Sequence, residues 1–296
     1  MKDYIKLIRF KHYIKNALIF AALLFSGQML VLEKLRDCAL AFVSFCLVCS
    51  AIYIINDIRD RDRDSRHPKK KDRPIASGRV SVKAAIITAG VCLILSCICF
   101  AFVFNPAALI LLLVYIAINL LYSFGLKKIP LVDVTILVAG FLIRVVYGAV
   151  ITGIEVSGWL YLTVITVSFF MAFGKRRNEL KMEGSDDTRE VLKGYSLNFL
   201  DKSMYLCLAM ANTFYALWTM DSATVEHYNS NRILFTVPVV LLITLKYSLN
   251  IEKETSDGDP TEVLFHDKAL LALCLLYAVL MMFLLYFDKI RTVFGF

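Results

Sequence analysis

Long apolar stretches alternate with short polar ones along almost the whole chain. A helix needs roughly 17 to 25 predominantly apolar residues to cross the hydrocarbon core of a bilayer. The first apolar run lacks a clear small-residue cleavage site and leads into further apolar runs, so we interpret it as a retained helix and not as a signal peptide. The pattern predicts an all-α integral membrane protein in which residues 1–296 form a single domain. Nine membrane-spanning helices are predicted, at about residues 16–33, 38–55, 84–104, 106–124, 131–152, 157–174, 203–220, 233–249 and 268–287.

The composition supports the same class of protein. Hydrophobic residues make up 58% of the chain, whereas soluble domains contain about 45–50%. All eight cysteines lie in or beside apolar spans, so we expect them to pack as apolar side chains, and the Cys46-x-x-Cys49 pair is not interpreted as a metal site. The four histidines show no spacing typical of metal ligands and none is assigned to a metal.

Basic residues predict the orientation in the membrane, because cytoplasmic loops carry an excess of Lys and Arg. Of the 33 Lys and Arg residues, five lie in the loops after the odd-numbered spans or in the C-terminal tail, Arg144 lies within a span, and the other 27 lie on the side of the N-terminus. We therefore expect a multi-pass protein of the cell (inner) membrane with its N-terminus in the cytoplasm. The net charge of +8 follows from this distribution and suits anionic lipid headgroups or phosphorylated substrates better than nucleic acid.

The segment after the second apolar run, NDIRDRDRDSRHPKKKDRPIASG at residues 56–78, concentrates acidic and basic residues. A helix would place Asn56, Asp57, Asp60 and Asp64 on one face, with Asp62 off that face. A charged run of this kind is often only a solvated helix end, but this one adjoins an apolar span, where carboxylates are costly and usually functional. We therefore predict that these four residues bind Mg²⁺, which joins carboxylates to substrate phosphates. Lys70 and Arg73, in the basic tail, are the predicted phosphate ligands.

Three further groups of polar residues lie at the ends of apolar runs on the same side. The first group, GKRRNE at residues 174–179, contains Lys175, Arg176 and Glu179. Either Lys175 and Glu179, four residues apart, form an ion pair within a basic cluster that sets topology, or Lys175 and Arg176 bind phosphate oxygens while Glu179 joins the metal or a sugar hydroxyl. The second group contains Tyr122 and Lys127, and the third Lys15 and Asn16. For these two groups, topology or lipid headgroups compete with substrate binding as the reason for the basic residues.

Arg144 lies within the apolar run GFLIRVVYG at residues 140–148. A guanidinium at membrane depth requires a polar partner or a wet cavity, so intramembrane arginines are usually functional. We predict that Arg144 contributes to substrate binding.

The acidic motif and the segment after it resemble the first aspartate-rich motif of the UbiA superfamily of intramembrane prenyltransferases. That motif, NDxxDxxxD followed by HPxKxxRPIASG, is matched by Asn56, Asp57, Asp60, Asp64, His67, Pro68, Lys70, Arg73, Pro74, Ile75, Ala76, Ser77 and Gly78. The resemblance implies that family's helical fold, with a cytoplasmic polar cap and a cavity open to lipid, across essentially the whole chain.

The second aspartate-rich motif of ordinary members is replaced here by GKRRNE. The sequence is similar instead to the decaprenyl-phosphate phosphoribosyltransferase branch, through KN at residues 15–16, YSFGLK at 122–127, GFLIR at 140–144, GKRxxEL at 174–180 and GDPTE at 258–262. Phe10 and Tyr13 depart from the Pro and Trp expected in that branch.

This branch implies a Mg²⁺-dependent, membrane-embedded transferase that moves a 5-phosphoribosyl group from phosphoribosyl diphosphate to a polyprenyl phosphate. In that reading Asp57, Asp60, Asp64 and Glu179 are the catalytic residues. Two other functions remain open. A true prenyltransferase that joins a prenyl diphosphate to an aromatic or other small acceptor would share the fold and the first motif, and a transporter or non-catalytic lipid-binding protein would also account for Arg144.

Overall fold

Every regular element in the described residues is helical. The structure is a computed structural model that describes residues 2–66, 70–182, 190–228, 230–252, 263–264 and 266–294. The α-helices are α1 (Lys2–Leu7), α2 (Ala21–Phe25), α3 (Leu32–Arg59), α4 (Arg61–Arg66), α5 (Val82–Ala101), α6 (Pro106–Phe124), α7 (Val132–Thr152), α8 (Gly158–Met182), α9 (Leu197–Met220), α10 (Ser222–Tyr228), α11 (Val237–Glu252) and α12 (Lys268–Phe294). Shorter 3-10 helices lie between them at Phe10–Phe20, Leu126–Lys128, Glu190–Gly194 and Arg232–Thr236.

Seven helical segments of the described chain are long and apolar enough to cross a membrane, two fewer than the nine that the pattern predicts. The chain is therefore a multi-pass membrane protein. These segments are Leu32–Arg59, Val82–Ala101, Pro106–Phe124, Val132–Thr152, Gly158–Lys181, Arg232–Glu252 and Lys268–Tyr286.

The first predicted span differs most from the structure. Residues 16–33 do not form one long helix: a 3-10 helix ends at Phe20, and α2 continues only to Phe25. Ser26 then turns back to donate a hydrogen bond to the Leu23 carbonyl, and Gly27 adopts a left-handed φ of 66°. A glycine in this conformation typically ends a helix.

The seventh predicted span, residues 203–220, belongs to the longer helix α9. Its length is sufficient for a crossing, but it is not among the seven apolar segments. Polar side chains such as Asn212 and Thr213 interrupt the apolar run and lower its hydrophobicity.

Local sequence signals account for several helix ends. Ser81 precedes α5 and accepts a hydrogen bond from the Ala84 amide, and Asn105 precedes α6 and accepts from the Ala107 amide, with Pro106 at the first helical position. These are typical N-cap arrangements, since the first amides of a helix have no partner within it.

The chain forms two compact units. The first comprises residues 1–125 and 143–155, and the second comprises residues 126–142 and 156–296, so that α7 contributes its first half to the second unit and its second half to the first. In the first unit α3 packs along α5, around a core that includes Ile54, Ile75 and Val80. In the second unit α8 packs along α9, and its core includes Phe170 and Met204.

The cysteines form no disulfide in the structure. Cys38, Cys46, Cys49 and Cys92 are buried, as expected for packing residues, whereas Cys97 is exposed on α5.

Candidate active site

The acidic motif of the first unit lies where α3 ends and α4 begins. Asp60 ends α3, and its amide donates to the Asn56 carbonyl over 2.9 Å; the Asp64 amide in turn donates to the Asp60 carbonyl over 2.8 Å. Asp60 itself has a φ of −88° and a ψ of 5° and separates α3 from α4, so the motif is not the single continuous helix that its spacing predicts. Asp57 and Asp64 are nonetheless both buried, at 4% exposure each, while Asp62 is exposed.

Two buried carboxylates converge on one guanidinium group. Arg73 Nη1 lies 3.1 Å from Asp57 Oδ1 and 2.6 Å from Asp64 Oδ2, and Arg9 Nη2 lies 2.5 Å from the same Asp57 oxygen. The Arg9 guanidinium also lies 4.8 Å from the centre of the Tyr53 ring. Buried carboxylates are stable only when compensated in this way, so Asp57 and Asp64 form a site for positive charge.

The donor set of this cluster fits a hard divalent cation. Two carboxylate oxygens already approach a single cationic nitrogen, and Mg²⁺ typically takes one or two carboxylates and completes its coordination with water and substrate phosphate. Within the described ranges, groups of three or more His, Cys, Asp or Glu residues placed to hold a metal ion are absent. The protein part of such a site would therefore centre on the carboxylate pair, with neighbouring residues of the motif and a phosphorylated substrate supplying further oxygens.

Asn56 directly precedes Asp57 in the chain, and Asp60 lies between Asp57 and Asp64. Asn56 Oδ1 accepts a hydrogen bond of 2.8 Å from the Ser123 hydroxyl, which lies near the end of α6. This bond orients the Asn56 amide with respect to α3. Asp60 is half-buried.

The N-terminal segment reaches the site through an unusual backbone conformation. Arg9 has a φ of 54°, in the left-handed region that non-glycine residues seldom occupy. The Ser50 hydroxyl donates to the Ile8 carbonyl over 2.8 Å and lies 2.8 Å from the Tyr13 hydroxyl, which attaches this segment to α3 on both sides of Arg9. Such strain persists where surrounding contacts determine the conformation, commonly at functional sites.

A second polar cluster of the first unit surrounds Arg144, which is 6% exposed. Its Nε donates to Asn16 Oδ1 over 2.7 Å, and its Nη2 donates to the Tyr115 hydroxyl over 2.8 Å. Asn16 Nδ2 in turn donates to Cys46 Sγ over 3.1 Å. The guanidinium carbon also lies 5.2 Å from the centre of the Phe45 ring. The cluster gives a cation at membrane depth the polar partners that it requires.

A glycine allows this cluster to form. A Cβ atom at Gly148, one helical turn after Arg144, would lie only 1.9 Å from the Ile19 carbonyl oxygen. The 3-10 helix that carries Asn16 therefore approaches α7 more closely than any larger residue at 148 permits.

The second unit contains a buried ion-pair cluster in α8. Arg176, only 1% exposed, places Nε 2.5 Å from Asp133 Oδ2 and Nη1 2.6 Å from Glu179 Oε2. Tyr195 donates to the other Asp133 oxygen over 2.7 Å and accepts from the Leu131 amide over 2.6 Å. Burial, together with the hydrogen bond to Asp133, raises the pKa of Tyr195, so the phenol stays protonated and acts as a donor.

The next two residues of the same turn tie α8 to its neighbours. Arg177 Nε donates to Asp201 Oδ1 of α9. Asn178 Nδ2 donates to the Ile251 carbonyl near the end of α11 over 2.7 Å. Three consecutive residues of GKRRNE are therefore buried and bonded to three different helices.

Comparison with known proteins identifies the family. The sequence profile of the UbiA prenyltransferase family matches residues 16–266. The chain belongs to this family. As a UbiA protein it is a transferase enzyme. The decaprenyl-phosphate phosphoribosyltransferase of Corynebacterium glutamicum is 34% identical over 292 residues, covering 94% of this chain and 85% of the relative. The enzyme of the same name from Mycobacterium tuberculosis is 32% identical over 279 residues, covering 92% of this chain and 90% of the relative.

The UbiA fold is found in solved structures as well. A UbiA homologue from Archaeoglobus fulgidus bound to GPP and Mg²⁺ superposes with a TM-score of 0.69 at 20% identity, covering 94% of this chain and 99% of the homologue. The all-helical architecture is thereby confirmed as that of the UbiA family.

All of the predicted site residues lie among the described residues. The second unit holds Lys127, Lys175, Arg176 and Glu179, and Lys127, Lys175 and Glu179 are half-buried. In the first unit Lys15, Lys70 and Tyr122 are likewise half-buried. The other predicted residues of the first unit are Asn16, Asn56, Asp57, Asp60, Asp64, Arg73 and Arg144. His67, Pro68 and GDPTE at 258–262, which carry part of the family resemblance, lie outside the described residues.

Several residues of these clusters are not assigned by the sequence pattern, among them Arg9, Tyr115 and Tyr195. Arg9 is one of several basic residues near the N-terminus, and the sequence does not distinguish it from the neighbouring lysines. Its left-handed backbone conformation cannot be predicted from the sequence either. Tyr115 is a polar residue in an apolar span and could have been found as a partner for Arg144. Tyr195 lies in a short polar segment and has no distinguishing pattern.

Proposed function

We propose that this UbiA protein transfers a 5-phosphoribosyl group from phosphoribosyl diphosphate to a polyprenyl phosphate and releases diphosphate. The observation that carries the proposal is the replacement of a second acidic motif by KRRNE at residues 175–179, one helical turn of α8 that we call the KRRNE turn. Its arginines and asparagine are buried and bonded to neighbouring helices. The two relatives of more than 30% identity over nearly the whole chain, which are named decaprenyl-phosphate phosphoribosyltransferases, support the same substrates.

The donor has a phosphate at each end of its sugar, so its site needs two groups of cationic partners. In the proposal Asn56, Asp57, Asp60 and Asp64 hold Mg²⁺, which supplies charge stabilisation for the departing diphosphate. Lys70 and Arg73 bind phosphate oxygens beside them. On the second unit, Lys127 and Lys175 are proposed as phosphate ligands and Glu179 as a ligand of a sugar hydroxyl.

In the structure Asp57 accepts hydrogen bonds from Arg9 and Arg73, and Asp64 accepts one from Arg73, so binding of a metal ion by these carboxylates would require the arginines to turn away. Both guanidiniums would then be available to substrate phosphate oxygens, which arginine binds well because of its charge and planar shape. The carboxylates thus exchange one compensating charge for another, and no carboxylate is left buried without a cation.

The chemical step is a substitution at the anomeric carbon. An oxygen of the polyprenyl phosphate forms a bond to this carbon, while the carbon–oxygen bond to diphosphate breaks and the diphosphate leaves with the electron pair. The acceptor oxygen is already anionic and requires no general base. The residues therefore act by positioning the two substrates and by stabilising charge.

Arg144, Asn16, Lys15 and Tyr122 are proposed to bind substrate on the first unit, with Asn16 and Tyr115 directing the Arg144 guanidinium. The polyprenyl tail is expected to lie along a groove that faces lipid. We propose that the N-terminus and the polar cap face the cytoplasm, in the cell (inner) membrane. The first and seventh predicted spans, which overlap the 3-10 helix Phe10–Phe20 and α9, would then complete nine crossings.

An assay with two donors tests the proposal. Purified protein in detergent is given labelled phosphoribosyl diphosphate with polyprenyl phosphate, or a prenyl diphosphate with an aromatic acceptor, each with and without Mg²⁺. We expect metal-dependent label in a lipid phosphate from the first mixture only. Product from the second mixture alone would contradict the proposal and establish an ordinary prenyltransferase, and no product from either would contradict it by indicating a transferase with another donor or acceptor.

A further inference from the structure

We propose that Arg176 is a positioning residue that does not bind a substrate phosphate itself. Arg176 fixes the position of Glu179 by a direct ion pair. Through Asp133 and Tyr195 it also stabilises the turn at residues 129–131, which follows Lys127. This inference rests on the proposed function, in which Glu179 and Lys127 contact the donor. It reassigns Arg176, which the sequence pattern predicts to be a phosphate ligand.

The burial of Arg176 is the first reason. Its side chain is 2% exposed, and its Nε and Nη1 point to carboxylates of Asp133 and Glu179, at 2.5 and 2.6 Å. If the guanidinium turned to a phosphate, Asp133 would keep a charge in a position with no exposure. Leaving a buried charge without its partner is strongly unfavourable, so Arg176 is expected to stay in place during the reaction.

The second reason is the contact of the same cluster with the turn before α7. Tyr195 donates to Asp133 and accepts from the amide of Leu131, which has a left-handed φ of 68°. A branched residue seldom adopts this conformation, and it persists only when neighbouring contacts determine it. The 3-10 helix Leu126–Lys128, which contains Lys127, precedes this turn directly.

Glu179 depends on Arg176 in a different way. The two residues lie three positions apart on α8, and Glu179 is half-buried while its partner is buried. One Glu179 oxygen is therefore held by the guanidinium, which limits the carboxylate to a narrow range of positions. Reaction rates are sensitive to small displacements of a group that positions the substrate, since an error of about 1 Å can cost roughly 100-fold in rate.

An exposed ion pair between the same two segments provides a matched control. Lys128 Nζ lies 2.8 Å from Glu190 Oε2, with side chains that are 61% and 65% exposed. Exposed pairs of this kind contribute little to stability. Glu190→Gln should therefore change neither folding nor activity.

The experiment is a double-mutant cycle of Arg176→Lys and Glu179→Gln, with Tyr195→Phe as a third variant. Metal-dependent transfer from phosphoribosyl diphosphate is measured per folded molecule, and KM and kcat are separated. A lysine keeps the charge but cannot span two carboxylates, so we expect Arg176→Lys to lose roughly 10- to 100-fold in kcat/KM. When Glu179→Gln is already present, we expect Arg176→Lys to cost no more than the loss seen for Tyr195→Phe, because the effect that Arg176 has through Glu179 is already removed.

Tyr195→Phe removes only a hydroxyl, leaving the Arg176 ion pairs in place. We expect it to raise KM for the donor roughly tenfold through the released turn. Three results would overturn the proposal: multiplicative losses in the cycle, which indicate that Arg176 contacts substrate itself; a Tyr195→Phe variant that matches Glu190→Gln; or variants that lose thermal stability alone.

The failure of the proposed function would be seen separately, as wild-type protein without transfer from phosphoribosyl diphosphate. In that case the same variants are compared by titration calorimetry for binding of inorganic phosphate, the group that Lys127 is proposed to bind. Weaker binding by Arg176→Lys and Tyr195→Phe, but not by Glu190→Gln, would support the positioning role. Equal binding by all of them would overturn it.

Discussion

Single carboxylates of the acidic motif differ sharply in their surroundings. Asp57 and Asp64 are buried against Arg73, whereas Asp62, only two residues before Asp64, is exposed. The sequence pattern assigns Asp62 to a different face from the others, and its exposure agrees with that prediction. The pattern does not reveal that Arg73 binds both buried carboxylates, because their common partner lies nine and 16 residues further along the chain.

Substitution of these aspartates should distinguish specific metal binding by individual residues from an effect of the overall charge of the motif. We expect Asp57→Asn and Asp64→Asn each to lower kcat/KM at least about 100-fold, because each amide loses the negative charge that would hold the cation and its diphosphate. Asp62→Asn, the matched control, should remain close to wild type. Initial rates over a range of Mg²⁺ concentrations measure both effects. Equal losses in all three variants would show that the motif acts only through its overall charge.

At the scale of elements, two short-range details decide how helices meet. Gly148 permits a backbone contact between α7 and the N-terminal 3-10 helix, and this contact brings Arg144 to Asn16. At the start of α12, Asp267 accepts from the Leu270 amide over 2.9 Å and pairs with Lys246 of α11 over 3.0 Å. The acidic N-cap before the last helix is readable from the sequence, but the close approach at Gly148 is not.

Gly148→Ala should destabilise the protein by roughly 1–3 kcal/mol, because the added methyl group overlaps the Ile19 carbonyl and forces the two segments apart. Gly90→Ala in α5 is the control, since a Cβ there meets nothing within 4 Å. That variant should be neutral or more stable by about 0.5–1 kcal/mol, as alanine favours helix. Thermal unfolding in detergent compares the two, and equal melting temperatures would contradict the importance of the contact.

Asp267→Ala should cost about 1 kcal/mol at neutral pH through the loss of the N-cap. The Leu270 amide and the ion pair with Lys246 hold the pKa of Asp267 below its usual range. Its contribution is therefore complete above the unfolded pKa of about 4 and is lost as the pH falls through the lower folded pKa. Melting temperatures of variant and wild type should differ at pH 7 and converge in strong acid. A difference in melting temperature that grows as the pH falls would contradict this prediction.

At the scale of the whole molecule, the chain divides into two compact units that carry different polar clusters. The first contains the aspartate pair with its arginines and the Arg144 cluster, and the second contains the KRRNE turn with Asp133 and Tyr195. Helix α7 contributes Asp133 to one unit and Arg144 to the other. The asymmetric distribution of Lys and Arg residues over the loops predicts which side of the membrane each loop faces.

The predicted orientation can be measured by cysteine labelling. Lys71 and Glu155 are both exposed, and they lie in loops predicted to be cytoplasmic and external. With a membrane-impermeant maleimide added to spheroplasts, we expect Glu155→Cys to react at once and Lys71→Cys only after permeabilisation. Wild-type protein gives the background of its own cysteines. The opposite pattern would place the N-terminus outside.

The sequence by itself determined the class, the family and most of the helices. Apolar run length depends only on local composition, and predicted spans such as 106–124 and 131–152 therefore agree with α6 and α7 to within a residue. Charge spacing likewise identified the acidic motif.

Only the tertiary structure decided which polar and charged side chains contact one another. Arg144 binds Asn16, 128 positions away, and Arg176 binds Asp133, 43 positions away. Spacing along a helix indicates the face on which a residue lies, but not the neighbour that this face contacts. The partners depend on packing between distant segments, where a single glycine or a left-handed residue sets the approach.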